Sequence, residues 1–334
     1  DWSSDVCSSD LTPLTAPTSP TISRIDTGNA LLTVYFAPGD DGGNPITSYQ
    51  YSTDGGASWQ TRTVGSTSSP LVISALSTNG TSALTNGTTY NVKIRAVNSA
   101  GAGNASLTTT ATPVTVPTAP LSVVATPGNA SISLNWAVPS SNGGASITDY
   151  EIEYSTNGGA TWFSFVRGTS TATSATITGL TNGTSYRFRV SAVNSEGMGV
   201  ASLWTTSVAP RTVPSAPTNL TVTAGAGSLA VSWTAAATGG SAITDYVVEY
   251  SVDGTNWTTF NDGLSTATST TITGLTNGTA YYVRVSAQNV AGASTAVVSG
   301  TTATPKTTPG APSISAITPG NTSLSVAFTA GATG

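Results

Sequence analysis

The sequence predicts an all-β protein built from tandem seven-stranded β-sandwiches. A stretch that runs from a leucine through an Asn-Gly turn to a tyrosine occurs three times, at 84–90, 180–186 and 275–281. Its tyrosines lie 96 and 95 residues apart, which is about the length of one sandwich domain. Each tyrosine opens a run of alternating apolar and polar residues, the pattern of a half-buried strand. The 334 residues therefore predict three full units and a remnant.

The composition argues against several classes of protein. Histidine is absent, and charged residues make up 7% of the chain, with 10 Lys and Arg against 15 Asp and Glu. So few basic residues form no surface that neutralises the phosphates of a nucleic acid. Without histidine no Ser-His or Cys-His nucleophile can form, and neither metal-ligand spacing nor a glycine-rich phosphate loop is seen. We therefore predict no enzyme activity, catalytic residue, metal or cofactor, and no nucleic-acid partner.

Residues 1–15 form a leader that does not look native. The first ten residues have neither the basic start nor the apolar middle of a signal peptide, and they resemble translated adaptor sequence. The single cysteine, Cys7, lies in this leader, so no disulfide is predicted in the repeats. No apolar run approaches the roughly 20 residues needed to span a bilayer, and no membrane insertion is predicted.

Each unit begins with an Ala-Pro pair, which marks an edge strand because proline cannot donate to a ladder. A second strand follows and ends in an aromatic residue expected in the core: Phe36, Trp136 and Trp233, with Phe328 in the remnant. The predicted boundaries are 16–115, 116–212 and 213–307 for units 1 to 3 and 308–334 for a truncated unit 4. Two strands cannot form a sandwich, so we expect the chain to be a fragment cut at both ends.

The middle of unit 1 differs from that of the other two units. Its third strand is two residues shorter before the following turn, a change that keeps every later side chain on its own face. The distance from Trp59 to Tyr90 is seven residues longer than the matching distances in units 2 and 3. This insertion predicts a longer loop in unit 1.

The repeated leucine-to-tyrosine stretch predicts a tyrosine corner, in which a buried tyrosine reaches back with its hydroxyl to main chain upstream. The residues that this places in the core are Leu84, Leu180, Leu275, Tyr90, Tyr186 and Tyr281. Proline-containing connectors then close each unit. Short linkers of this kind limit bending, so the units are expected to string out in an extended row.

Three features together resemble the fibronectin type III family over residues 16–334. They are the aromatic that closes the second strand, the Ile-Thr-x-Tyr strand, and Leu-Thr-Asn-Gly-Thr-x-Tyr followed by Arg-Val-x-Ala-x-Asn. This resemblance implies immunoglobulin-like sandwiches, most similar to bacterial members in secreted or cell-surface proteins. Family members serve as spacers, adhesive modules or accessory domains beside polysaccharide-degrading enzymes. The Arg-Gly-Asp tripeptide of some animal members is absent.

Two groups of residues are candidate ligand contacts. Asp40 and Asp41 form the only adjacent acidic pair, which suggests Ca²⁺, but too few further oxygen ligands follow, and a solvated loop is the simpler interpretation. Phe163, Phe165 and Trp204 enrich unit 2 in aromatics that would stack on sugar rings if exposed. Phe165 and Trp204 are expected at opposite edges of one sheet, which disfavours a continuous platform. Packing at the sheet edges is the alternative.

The segment Ser52 to Trp59 matches the Asp-box hairpin of sialidase propellers, although an aspartate and glycines suit any tight turn. The favoured function is a non-catalytic spacer or display module of an extracellular or cell-surface protein, covalently linked to neighbouring domains beyond both ends. The alternative is an adhesive or carbohydrate-binding module with a protein or glycan partner.

Overall fold

The computed structural model of the chain describes residues 14–62 and 66–333. Within these residues every regular element is a β-strand. Most of the predicted leader, including Cys7, lies outside the described residues, as does Gly334.

Unit 1 contains eight strand segments in two antiparallel sheets. One sheet has the order β1-β2-β5, and the other has the order β4-β3-β6-β7, with β8 also paired to β6. Because β7 and β8 pair in succession with the same strand, they act as two parts of one final strand. The segments are β1 (Thr21–Gly28), β2 (Leu31–Ala37), β3 (Ser48–Ser52), β4 (Gln60–Thr61), β5 (Leu71–Ile73), β6 (Tyr90–Asn98), β7 (Gly101–Ala102) and β8 (Thr109–Ala111).

Unit 2 repeats this arrangement with sheets β9-β10-β13 and β12-β11-β14-β15. Three strands face four, which gives the seven-stranded sandwich predicted from the sequence. Its strands are β9 (Leu121–Gly128), β10 (Ser131–Ala137), β11 (Asp149–Ser155), β12 (Phe163–Ser164), β13 (Ser174–Thr178), β14 (Arg187–Asn194) and β15 (Gly197–Met198).

Unit 3 has sheets β16-β17-β20 and β19-β18-β21-β22, with β23 also paired to β21. Tandem β-sandwiches are therefore confirmed as the fold. The strands of unit 3 are β16 (Thr218–Gly225), β17 (Ser228–Thr234), β18 (Asp245–Ser251), β19 (Thr258–Thr259), β20 (Ser269–Thr273), β21 (Tyr282–Asn289), β22 (Gly292–Ala293) and β23 (Val297–Val298).

Residues 308–333 contain two strands, β24 (Ser313–Gly320) and β25 (Ser323–Thr329), which pair antiparallel. Their apolar side chains remain in solvent, and Phe328 is 65% exposed. The equivalent aromatics of the three sandwiches are buried, because there a second sheet covers the inner face of the first.

Each sandwich closes its own hydrophobic core. The aromatic at the end of the second strand packs on a tyrosine of the opposite sheet, with ring centroids 4.6 Å apart for Phe36 and Tyr49 and 5.4 Å apart for Trp136 and Tyr150. Trp233 and Tyr246 repeat this contact at 5.3 Å. Burial raises the pKa of Tyr49 and that of Tyr150, so both phenols stay neutral in the core.

The repeated tyrosines form the corners that the sequence predicts. The hydroxyl of Tyr90 accepts a hydrogen bond from the Thr85 N–H at 2.8 Å, five residues upstream. Tyr186 and Tyr281 accept the matching bonds at 3.1 and 3.2 Å. All three tyrosines are buried, as are Leu84 and Leu275, whereas Leu180 is partly buried against its core.

The extra residues of unit 1 form the predicted longer loop. It lies between β5 and Leu84 and is held together by an isolated bridge between Ala75 and Ala83. The Gly80 N–H donates to the Leu76 carbonyl at 2.9 Å, and the Leu76 N–H donates to the Ser82 carbonyl at 2.8 Å. The insertion is therefore accommodated at the end of the sandwich without displacing a strand.

Candidate functional site

A buried asparagine holds the linker at the start of each unit. In unit 2, Asn194 donates through Nδ2 to the Thr115 carbonyl of the linker at 2.7 Å and to the Asn142 carbonyl of the glycine-rich turn at 2.8 Å. The Thr115 N–H in turn donates to the Gly143 carbonyl at 2.8 Å. The same contacts are made by Asn98 with Thr15 and Asp41, and by Asn289 with Thr212 and Thr238.

The Asn-Gly turn of each corner holds the beginning of the linker that follows its own unit. The Gly87 N–H donates to the Pro113 carbonyl at 2.9 Å, which ties that proline to unit 1. Because Thr115 is already tied to unit 2, one residue, Val114, separates the two attachments. At the next joint the Gly183 N–H donates to the Pro210 carbonyl, the Arg211 N–H donates back into unit 2, and the Thr212 N–H donates into unit 3.

The asparagine of the same turn attaches it to its own unit. Asn86 accepts the Ala30 N–H through Oδ1 at 2.7 Å and donates to the Asn29 side chain at 2.8 Å. Asn182 repeats both contacts with Ala130 and Asn129 at 2.8 and 2.9 Å. The asparagine thus fixes the turn to the first hairpin of the unit, which leaves the glycine facing the next unit.

Consecutive units contact each other through the backbones of two glycines, Gly87 with Gly144 and Gly183 with Gly240. A Cβ atom added to Gly144 would overlap the amide nitrogen of Gly87 and lie 2.7 Å from the Asn86 carbonyl carbon. A Cβ atom added to Gly240 would lie 2.6 Å from the Gly183 nitrogen. Both Gly144 and Gly240 also have positive φ, at 88° and 92°. Close backbone approach therefore requires glycine at these positions of units 2 and 3.

Asp40 and Asp41 lie on the exposed glycine-rich turn of unit 1. The Asp40 carboxylate accepts the Gly42 N–H and the Asp41 carboxylate accepts the Gly43 N–H, each at 2.9 Å. Both carboxylates therefore cap their own turn. Within residues 14–62 and 66–333, no three His, Cys, Asp or Glu side chains group as metal ligands do.

The Asp54 hairpin is organised by its own polar side chains. Asp54 accepts hydrogen bonds from the Ser52 hydroxyl at 2.7 Å, the Ser58 N–H at 3.0 Å and the Ser58 hydroxyl at 2.6 Å. In unit 2, Asn157 makes the equivalent bonds with Ser155 and Thr161. Such bonds within one hairpin account for the aspartate without a ligand.

These bonds predict an unusual acid titration of Asp54. Partial burial raises the pKa of this carboxyl, but the hydrogen bonds from Ser58 and Ser52 outweigh it and lower the pKa from 3.8 to about 2. A pKa lower in the folded than in the unfolded state stabilises unit 1 above pH of about 4, and this contribution is lost as the pH falls towards about 2. We expect the Asp54 side-chain carbonyl ¹³C shift to titrate with a midpoint near pH 2.

The control variant is Asp54→Asn, which should keep the hairpin because unit 2 uses Asn157 at this position. The thermal midpoint of unit 1 should then depend less on pH between about 4 and 2 than in the unchanged chain. A midpoint for Asp54 near the unperturbed 3.8 would contradict the account.

A tryptophan lies over an arginine on the outer face of the larger sheet of every unit. The distance from the guanidinium carbon to the ring centroid is 4.2 Å for Arg95 and Trp59 and 4.4 Å for Arg189 and Trp162. It is again 4.4 Å for Arg284 and Trp257. Each arginine also bonds a cross-strand acceptor: Gln50 in unit 1, Glu153 in unit 2 and Glu249 in unit 3.

The three aromatic candidates of unit 2 lie in different surroundings. Phe163 is 54% exposed with its ring 5.8 Å from that of Tyr154, and Phe165 packs partly buried against the core. Trp204 is 51% exposed and stacks on Trp162 with ring centroids 5.9 Å apart. Trp162, which was not predicted as a candidate contact, is the residue that partners Trp204.

The strand order and the repeated corner are those of one domain family. A family model described as the fibronectin type III domain matches residues 116–208 and 215–301, which is a little over half of the chain. The chain belongs to the fibronectin type III family. Unit 1 has the same two-sheet order as the two fibronectin type III domains that the family model matches.

Several known proteins are similar to this chain. Cardiac-type myosin-binding protein C from Gallus gallus is 30% identical over 169 residues, 50% of this chain, and human Myomesin-2 is 38% identical over 120 residues, 34% of this chain. Exoglucanase B from Cellulomonas fimi is 33% identical over 244 residues, 67% of this chain. The matched segments span 13%, 8% and 21% of these relatives.

The solved structures that this chain is similar to include the crystal structure of the chicken CNTN1 FN1-FN3 domains. It is 20% identical in sequence and has a TM-score of 0.34, and the alignment covers 87% of this chain and 99% of that one. Over the described residues no helix is long and apolar enough to cross a membrane.

Proposed function

We propose that this chain is a non-catalytic spacer within a larger extracellular bacterial protein, holding the domains on either side of it at a set separation and direction. Fibronectin type III domains serve widely as modules of this kind. The observation that supports the proposal is the joint between consecutive units, where both units form hydrogen bonds with the linker.

A spacer transmits direction only if its joints resist bending. A flexible linker of several residues would let each domain turn freely, and its ends would spread as a random coil. Here Val114 is the one residue between the attachments at Pro113 and Thr115, and the glycine contact adds direct packing beside it. These contacts favour one relative orientation of the units.

One relative suggests which kind of domain such a spacer would stand beside. Exoglucanase B is by its name an enzyme that acts on a glucan, and the match to it covers more of this chain than the matches to myosin-binding protein C and Myomesin-2. A position beside such an enzyme would suit a spacer that holds a catalytic domain away from a neighbouring domain.

The glycine contact provides the experiment. In Gly144→Ala the new methyl group collides with the backbone of Gly87, so the turn of unit 1 must move away from unit 2. We expect residual dipolar couplings of the unchanged chain to fit one alignment tensor for units 1 and 2. The variant should require two tensors.

Gly158→Ala is the matched control, because Gly158 also has a positive φ, at 76°, but a Cβ atom there meets nothing within 4 Å. It carries the same type of backbone strain, about 1 kcal/mol, without touching a neighbouring unit. Independent tensors in the unchanged chain would refute the stiff-spacer proposal, and a common tensor in Gly144→Ala would show that the glycine contact does not set the orientation of the units.

A further inference from the structure

The outer face of unit 2 carries a second indole, that of Trp204, in addition to the tryptophan that every unit has there. Trp204 is half exposed, and its ring is held from one side by the ring of Trp162 at an interplanar angle of 28°. The guanidinium of Arg187 lies 5.9 Å from the centroid of Trp204. The ring is therefore supported in one orientation while about half of its surface faces solvent.

A concave site of about 680 Å³ lies beside this indole. Its polar lining includes Glu153 and Arg189, which form a two-point ion pair with N–O distances of 2.7 and 3.0 Å. Its apolar lining includes the exposed side chains of Met198 and Val200, with Trp204. The indole of Trp204 thus lies next to the N–H donors of Arg189 and the carboxylate acceptors of Glu153.

The hydrogen bonds of the final strand show which residues occupy the same place in units 1 and 3. Ser202 bonds the Val190 N–H as Ser106 bonds the Ile94 N–H, so Trp204 corresponds to Thr108. Thr205 bonds the Phe188 N–H as Ser299 bonds the Val283 N–H, so Trp204 also corresponds to Val298. The tryptophan–arginine pair occurs in all three units and serves the fold, whereas the exposed indole is particular to unit 2.

We propose that this site binds a neutral pyranose residue of a polysaccharide. A pyranose presents an apolar C–H face that suits an indole, and its hydroxyls both donate and accept hydrogen bonds. Trp204 supplies the aromatic surface, Arg189 supplies N–H donors and Glu153 supplies carboxylate acceptors.

The charge of the site favours a neutral sugar over an acidic one. The charges of Glu153 and Arg189 cancel within their ion pair, and Arg187, which lies near the indole, is not among the lining residues. The lining therefore offers hydrogen bonds without a net charge. A carboxylate-bearing sugar brought beside Glu153 would meet an acceptor that repels it. Binding would add to the spacer role and does not depend on it.

The test is affinity electrophoresis of the full chain in gels that contain barley β-glucan, xylan, mannan or polygalacturonate. We expect at least one neutral polysaccharide to retard the chain and polygalacturonate not to do so. Trp204→Val, which places the residue of unit 3 at this position, should weaken the retardation at least tenfold in apparent Kd. Trp204→Tyr should retain most of it because it keeps an aromatic face.

Because Trp204 is half exposed, the variants should fold, and an unchanged thermal midpoint of unit 2 checks this. The proposal is overturned if no neutral polysaccharide retards the chain, or if Trp204→Val is retarded as strongly as the unchanged chain. Retardation by polygalacturonate alone, or binding of a proline-rich peptide alone at this indole, would likewise assign the site to another ligand. The residual dipolar couplings above are independent of each of these outcomes.

Discussion

Phe188→Ala should lower the free energy of unfolding of unit 2 by about 3–5 kcal/mol. Phe188 is fully buried on the central strand β14, and its ring stacks on that of Tyr186 with centroids 6.2 Å apart. Removing the ring leaves a cavity that the two sheets cannot close. Since typical domains are stable by about 5–15 kcal/mol, unit 2 should melt far below its normal temperature or fail to fold.

The effect should be confined to unit 2, because each sandwich has a separate core. Differential scanning calorimetry and the amide spectrum of the full chain would show units 1 and 3 keeping nearly their usual stability. Val166→Ala is the control within the same unit, since Val166 is 91% exposed and its truncation should cost less than about 0.5 kcal/mol. Loss of all three units together would contradict separate cores.

The second large effect is expected for Asn194→Ala. Asn194 is 4% exposed and is the shared donor to the linker carbonyl of Thr115 and the turn carbonyl of Asn142. The alanine variant leaves both carbonyls without this partner, which should cost unit 2 about 2–4 kcal/mol. It should also release the linker, so the Thr115 amide should exchange with solvent much faster.

Asn194→Asp separates the two functions of this side chain. A carboxylate can still accept the Glu196 N–H, which Asn194 accepts at 2.9 Å, but it cannot donate to either carbonyl. We therefore expect the aspartate variant to lose stability and Thr115 protection at least as the alanine variant does. Exposed Ser195→Ala should change neither, and full protection of Thr115 in Asn194→Asp would show that another contact holds the linker.

The parts of the fold that follow local rules could be predicted from the sequence. The alternation after Tyr186 gives a half-buried strand, and the Asn-Gly turn before it gives the corner, because both depend on neighbours within a few residues. The repeat length then gave the number of units. The lengthened loop of unit 1 was predictable in the same way, by comparing one unit with the next.

The joint and the aromatic site depend on partners far apart in the chain. The neighbouring sequence predicts that Asn194 begins a turn. It does not indicate that the Asn194 amide donates a hydrogen bond to the linker 79 residues earlier. The stack of Trp204 on Trp162 was not predicted either, because the two residues flank opposite edge strands of one sheet. Large indoles extend across the sheet surface, so the edge positions of their backbones did not indicate that their rings meet.

The short span at the two joints between the three sandwiches has a consequence for proteolysis. Proteases cut segments that can leave their hydrogen bonds and extend into a cleft, and exposed connections between domains usually offer such segments. Between Pro113 and Thr115 only Val114 lies outside the hydrogen-bonded attachments. At the next joint Pro210, Arg211 and Thr212 are all hydrogen-bonded, so no residue lies between the attachments. Digestion between units must therefore wait for a joint to open, and the cleavage rate there would report how often that happens.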